Sequence, residues 1–286
     1  FMSSLSPTGA FPRLETLVGH ARELPPSGRL LPQLQQLFRD PTAGTHQLTQ
    51  LMRMDSNLTT RILRLANSAI YAGAEPCESI DAATQRVGLE AIEGIIGVLV
   101  AKDLHDQDLE IYRTTSAAIL YQSLAAALAA SAFNQKAHFG AGGDRIFTVG
   151  ILHCVGMVAL NNFVLAERPE QVGELRRLRL DAAREREFFG VDHAQLGAAI
   201  LASWNFSPAM VGLLAELFTE LEKATRPEEV AVLQLGLEAV PSIDRWASPE
   251  ILADSPAAVR LGLTKGKIGE ALLYAEEMFE FFAENL

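Results

Sequence analysis

Cysteine is nearly absent, with only Cys77 and Cys154 in 286 residues. A disulfide framework is therefore excluded, and a reducing, cytoplasmic setting is the expectation. Aromatic residues make up 7% of the chain, and alternating β-branched runs are scarce, which argues against a sheet-based fold. Positive charge is short too. The 24 Lys and Arg against 35 Asp and Glu leave −11, the wrong sign for a nucleic-acid surface. Residues 216–286 carry 14 acids and 6 bases, and so −8 of that total. The first residues lack a basic flank, an apolar block and a small-residue cleavage site, so no secretory leader is expected. Two runs, 114–135 and 146–166, lack Asp, Glu, Lys and Arg altogether, and each approaches the ~20 apolar residues that cross a bilayer. The first is bulked by Ala with Ser, Thr and Gln inside it. The second is interrupted by Gly150, His153, Gly156, Asn161 and Asn162. Both read as helices buried on all sides within a large helical domain, not as membrane spans.

What the sequence does have is helical periodicity. After a Pro- and Gly-rich start, apolar residues recur at Leu30, Leu34, Leu37 and Phe38 until Asp40-Pro41, where proline ends the helix. Further stripes run through Leu48, Leu51 and Met52, then through Leu58, Ile62, Leu65 and Ala66. Ser79 or Asp81 opens another helix that closes near Gly88. The polar segment 102–110 is the best internal boundary. Beyond it, Asp144 is expected to cap the second uncharged helix, and 174–187 reads as one charged helical region. A helix from about Asp192 to Trp204 follows, with later patterns near 227–240 and 265–286. The reading is all-α, a two-lobed helical bundle. It comprises a loose segment 1–23, an N-terminal lobe 24–105, a second lobe 112–220 and an acidic helical extension 221–286.

Motifs for chemistry are thin. The glycines of 140–143 are not a dinucleotide fingerprint, because no strand precedes them and Arg145 stands where the third glycine belongs. An interhelical loop is expected there. Of six histidines, only His153 and His193 sit in strongly apolar helical context. Metal catalysis needs three or more converging protein donors, and carboxylates near this pair are sparse. Asp192 beside His193, and Cys154 beside His153, diverge by ~100° if helical. Hydrogen-bonded core roles are therefore expected, and no metal. Arg176, Arg177, Arg179, Arg184 and Arg186 are interleaved with Glu174, Asp181, Glu185 and Glu187, the pattern of a solvated helix face laced with ion pairs. No Gly-x-Ser-x-Gly elbow or nucleophile triad is present.

The segment Leu31-Pro32-x-Leu34-x-x-Leu37-Phe38-x-Asp40-Pro41, followed by Leu51-Met52-Arg53-Met54-Asp55 and Arg61-Ile62-Leu63-Arg64-Leu65-Ala66-Asn67-Ser68, resembles the N-terminal half of the HDOD family. Ser79-Ile80 and Val87-Gly88 continue the likeness. Gly150-Ile151-Leu152-His153-Cys154-Val155-Gly156 and Phe189-Gly190-Val191-Asp192-His193 to Trp204 resemble its HD-type second half. The resemblance covers about residues 24–220. It implies kinship with HD-type metal-dependent phosphohydrolases and a bacterial signalling role through contacts with other signalling proteins. Three departures matter. The family's metal-binding aspartate falls on Cys154, a ligand histidine falls on Gln122, and the later histidine-rich segment falls on Glu216-Leu217-Phe218. A neutral thiol and a neutral amide are poor replacements for those donors. No hydrolase activity, metal or cofactor is therefore expected. Gln122, His153, Cys154 and His193 are the expected pocket lining, and Asn67 and Ser68 a candidate interaction surface. For Asn67, a role in satisfying backbone groups stands beside that reading. A residual hydrolase, or a nucleotide or small-ligand sensor using the same pocket, is the alternative.

Overall fold

A computed structural model describes residues 11–21, 60, 62–64, 66–67, 76–88, 101–102, 107–137, 143–242 and 245–285. In chain order the helices are α1 (Leu14–Gly19), α2 (Ile80–Val87), α3 (Ser116–Ala137), α4 (Gly143–Leu152), α5 (Val155–Glu167), α6 (Val172–Leu178) and α7 (Ala182–Phe189). They continue as α8 (His193–Ser203), α9 (Pro208–Ala215), α10 (Pro227–Glu238), α11 (Pro249–Ala253), α12 (Pro256–Arg260) and α13 (Lys265–Asn285). Short 3-10 turns lie at Glu110–Tyr112 and Pro169–Gln171. Among the described residues there is no strand, only the isolated bridges Leu109 to Thr114 and Ser242 to Arg245. The fold is all-α, as the periodicity predicts.

The uncharged α3 is the centre of the packing. Helices α4, α10 and α13 all lie against it, and its side chains are buried through most of Ile119 to Asn134. Small residues make this possible. A Cβ at Gly150 of α4 would meet the Ala127 Cα at 2.9 Å, and one at Gly236 of α10 would meet the Ala126 carbonyl oxygen and Ala130 Cβ at 2.7 Å. Alanine on one helix and glycine on the next bring the backbones close enough to enclose α3. Both uncharged runs thus lie in the core, buried along most of their length. The acidic segment 221–286 contributes α10 and α13 to this same core.

Local signals hold at several ends. Ser79 caps α2 by accepting from the Ala82 N–H (3.2 Å), and Gly88 closes it in a positive-φ conformation. Elsewhere the structure corrects the sequence reading. Within the segment read as loose, Leu14–Gly19 is helical. Leu17 is fully buried there, because α1 docks on α5 and α8 and the Asn162 side chain donates to the His20 carbonyl (3.3 Å). Asp144 lies inside α4, which already begins at Gly143. The run 146–166 is not one helix, since the chain leaves the helix at His153 and Cys154 between α4 and α5. The charged region 174–187 is likewise two helices, separated at Arg179 with φ +51°. Asp181 then caps α7 by accepting from the Arg184 N–H (2.9 Å). Most of the N-terminal lobe and the glycine-rich loop at 140–142 lie outside the described residues.

Candidate functional site

The break between α4 and α5 sets up the first half of the site. His153 donates from Nδ1 to the Gly150 carbonyl at 2.6 Å, so a neutral imidazole carries its proton on Nδ1 and leaves Nε2 as an acceptor. The Cys154 Sγ lies 3.0 Å from that Nε2. The thiol is therefore the donor. Adjacent residues diverge inside a helix, but these two occupy the turn between helices, and their side chains meet. Both are buried, at 6% and 5% exposure. Burial pulls the His153 pKa down, outweighing the Gly150 hydrogen bond. It also pushes the Cys154 thiol up, against the opposing influence of His193 and the Ser123 hydroxyl. A neutral thiol hydrogen-bonded to a neutral imidazole results.

The second half comes from α7 and α8. Gly190 reverses the chain at φ +78°, and Asp192 and Gln195 form a reciprocal cap at the start of α8. Arg186 contacts the same Asp192. This brings His193 back over Glu185. One Glu185 oxygen, Oε2, accepts from both the backbone N–H and the Nδ1 of His193, each at 2.7 Å. The other, Oε1, accepts from the Tyr112 hydroxyl at 2.6 Å. Glu185 is fully buried, an exception to the solvated, ion-paired character expected of its segment, whose other charged residues stay at the surface. Burial pushes its carboxyl up, but the charge and hydrogen bonds of His193, with that of Tyr112, outweigh it and hold the pKa below the usual range. Burial pulls His193 down, and Glu185 outweighs that in turn and holds it above the usual histidine value. Tyr112 is raised by burial and by the Glu185 charge.

Three further contacts lock this arrangement. Asn161 of α5 accepts from the Ile111 N–H (3.3 Å) and so fixes the turn that carries Tyr112. Phe218 packs its ring against His193, with centroids 5.0 Å apart. At Gly156 a Cβ would fall 2.0 Å from the His193 carbonyl oxygen, so the start of α5 presses directly on α8.

The structure therefore brings His153, Cys154 and His193 into one core, together with Glu185 and Tyr112, which the sequence reading missed. A helical-wheel signal for Glu185 existed, since Ala182, Glu185 and Phe189 share a face at spacings of three and four. Tyr112 carries no such signal. Gln122 does not join the cluster by any hydrogen bond; its amide donates to the Val240 carbonyl at 3.3 Å and ties α3 to the end of α10. The Asn67 amide donates to the Cys77 carbonyl (3.0 Å) and accepts from the Cys77 N–H (2.7 Å), closing a loop in the manner of the backbone-satisfying alternative. Ser68 lies outside the described residues. Beside His153, lined also by Ala126, Gly150, Leu217, Leu233 and Leu237, is a cavity of about 10 Å³, room for roughly one water.

These donors do not fit a divalent metal. The Nε2 of His153 is occupied by the Cys154 thiol, which keeps its proton, and the Glu185 oxygens are taken by His193 and Tyr112, so the Nε2 of His193 is left without enough converging donors. Among the described residues no three His, Cys, Asp or Glu side chains converge as a metal site.

The family model for the HDOD domain matches residues 24–217. Among solved structures, an HDOD domain protein from Geobacter sulfurreducens superposes with a TM-score of 0.72 at 19% identity, covering 93% of this chain and 95% of that one. A candidate phosphohydrolase from Shewanella amazonensis SB2B gives 0.67 at 19% identity over 93% and 97%. A candidate signal transduction protein from Marinobacter aquaeolei VT8 gives 0.67 at 17% identity over 95% and 60%. An uncharacterized protein of Treponema pallidum (strain Nichols) is 23% identical over 198 residues, and the match spans 67% of this chain but 37% of that relative's length.

Proposed function

The chain belongs to the HDOD domain family, and from that premise we propose that it is a non-catalytic, cytoplasmic regulatory module. It acts in signal transduction through contacts with other proteins. A regulatory role fits the family and the signal-transduction relative of the same fold. The observation that carries the non-catalytic reading is the Cys154–His153 hydrogen bond of 3.0 Å. Where an HD-type site needs a carboxylate anion to hold metal, this chain has a buried thiol whose proton is committed to the neighbouring imidazole. His193, the other retained histidine, is held by Glu185 through Nδ1 and has no carboxylate anion at residue 154 to share a metal with. The cavity beside His153 has no room for a nucleotide, since ligand pockets run to several hundred Å³.

The test is metal analysis of the purified protein, with turnover assays on nucleotides and cyclic dinucleotides in the presence of divalent metals. Substoichiometric metal and no turnover are expected. Stoichiometric metal with metal-dependent turnover would sink the proposal. Cys154→Asp is expected to stay inactive, because Gln122 and Phe218 still occupy positions where donors are required.

A further inference from the structure

Among the described residues, Arg113, Arg179 and Asn205 are the non-glycine residues with positive φ. Asn is a tolerated occupant of the left-handed region; Arg is not a favoured one. Arg113 (φ +57°) ends the turn Glu110–Tyr112, and Arg179 (φ +51°) ends α6. That turn packs against α6, whose last turn also carries Arg176 and Arg177. All four arginines are exposed. None has a carboxylate within 4.0 Å among the described residues, whereas the nearby Arg184 and Arg186 are engaged with Asp181 and Asp192. The acids on these elements, Glu110, Glu170 and Glu174, stand in the first turns of their helical segments, while the arginines stand at the ends. The helix dipole favours Arg176 and Arg177 at the end of α6. It gives no reason for arginine, rather than glycine or asparagine, at two left-handed positions on adjoining elements.

We propose that Arg113, Arg176, Arg177 and Arg179 form a docking surface for an acidic segment of a partner protein. The inference rests on the reading of the chain as a protein-contact module. Charge complementarity selects the occupant. Guanidinium groups left without carboxylates are matched by Glu or Asp side chains from outside, and such rim charges set encounter rate and specificity. A nucleic acid is disfavoured by the −11 of the whole chain.

The experiment uses the full chain and a fluorescein-labelled peptide of alternating Glu and Ala, read by anisotropy at low and at physiological salt. Replacing all four arginines by Gln is expected to weaken binding about tenfold. Removing the same charge elsewhere, by Gln at Arg13, Lys223, Arg245 and Lys267, is expected to leave most of it. The double variant Arg113→Gly with Arg179→Gly separates function from structure: it should bind more weakly yet melt at the same or a higher temperature. Absence of peptide binding, or equal loss in the control variant, overturns the proposal. So does a lower melting temperature of the glycine variant, which would make both arginines structural. Tighter binding of a single-stranded DNA oligonucleotide would make the surface a general polyanion site. Self-association abolished by the four-Gln variant would seat the acidic segment of a second copy there. Either result overturns the partner assignment. Failure here leaves the non-catalytic reading intact, whereas metal-dependent turnover would remove that reading and leave this surface standing.

Discussion

His153 and His193 share one core, and their pKa values are driven in opposite directions because their partners differ. The hydrogen bond to the Gly150 carbonyl offsets only part of the desolvation of a charged His153, and the neutral thiol offers no counter-charge. A buried carboxylate gives His193 a counter-ion, and Tyr112 completes that carboxylate's hydrogen bonds. The consequences for stability run in opposite directions. His153 titrates below the ordinary histidine value of about 6.5, so the unfolded chain takes up that proton first and stability falls as the pH drops below this point. His193 titrates above it, so its contribution is complete below about pH 6.5 and is lost as the pH rises through the folded value. Glu185, held low, contributes above the ordinary glutamate value and loses that contribution as the pH falls through its folded value. The melting temperature is therefore expected to peak near pH 6.5, by about the ordinary histidine value. Glu185→Gln leaves His193 without a counter-ion; it should cost about 3–5 kcal/mol at the peak and flatten the alkaline limb. Thermal melts of both proteins across the pH range check this, and an alkaline limb unchanged in the variant would refute the role of the pair.

At the scale of elements, the packing depends on where side chains are missing. Gly236 lets α10 rest on Ala126 and Ala130 of α3, so Gly236→Ala forces backbone apart and is expected to destabilise by at least about 1–3 kcal/mol. Gly173 in α6 has nothing within 4 Å of its would-be Cβ, so Gly173→Ala should instead stabilise by about 0.5–1 kcal/mol through helix propensity. Denaturant unfolding of the two variants tests the contrast, and similar effects would mean the α3–α10 contact is not tight. Much at this scale was legible, because the signals are local. Ser79, Gly88 and Asp192 mark helix ends by rules that need only a few residues of context. The break at His153 and Cys154 was not, since Leu152-His153-Cys154-Val155 contains no proline, glycine or capping residue and the turn is imposed by what α5 packs against. The bond from Gln122 to Val240 spans 118 residues, and local pattern carries no information about it. The site fell between these cases. Its two histidines stood out by their apolar surroundings, but the pairing that defines their chemistry depends on the Gly190 reversal folding Glu185 under His193.

For the molecule as a whole, the acidic last quarter reads from sequence as an appendage, and its charge suggests a solvent-facing role. Among the described residues two ion pairs tie it to the body: Lys136 with Glu270 at 2.6 Å, exposed, joins α3 to α13, and Arg145 with Glu229 at 3.2 Å, partly buried, joins α4 to α10. Pairs of this kind contribute ~0–1 kcal/mol each, too little to order a segment against its conformational entropy. What holds it is burial. Val230, Val232, Leu233 and Leu235 of α10 are in the core, as are Ile268, Leu272 and Phe282 of α13, and each such side chain contributes ~1.5–3 kcal/mol when removed from water. Charge and burial therefore predict different outcomes for one pair of experiments. Glu270→Ala in the full chain should leave the melting temperature nearly unchanged. A chain ending at residue 226 loses α10 and α13 together, strips α3 of two of its covering helices, and should show no cooperative thermal transition and rapid proteolysis within 116–137. A truncated protein that still melted cooperatively at the full-length temperature would show that 227–286 is an appendage after all. Ordered secondary structure with no cooperative melt would instead place these helices among the parts that fix the core's single packing.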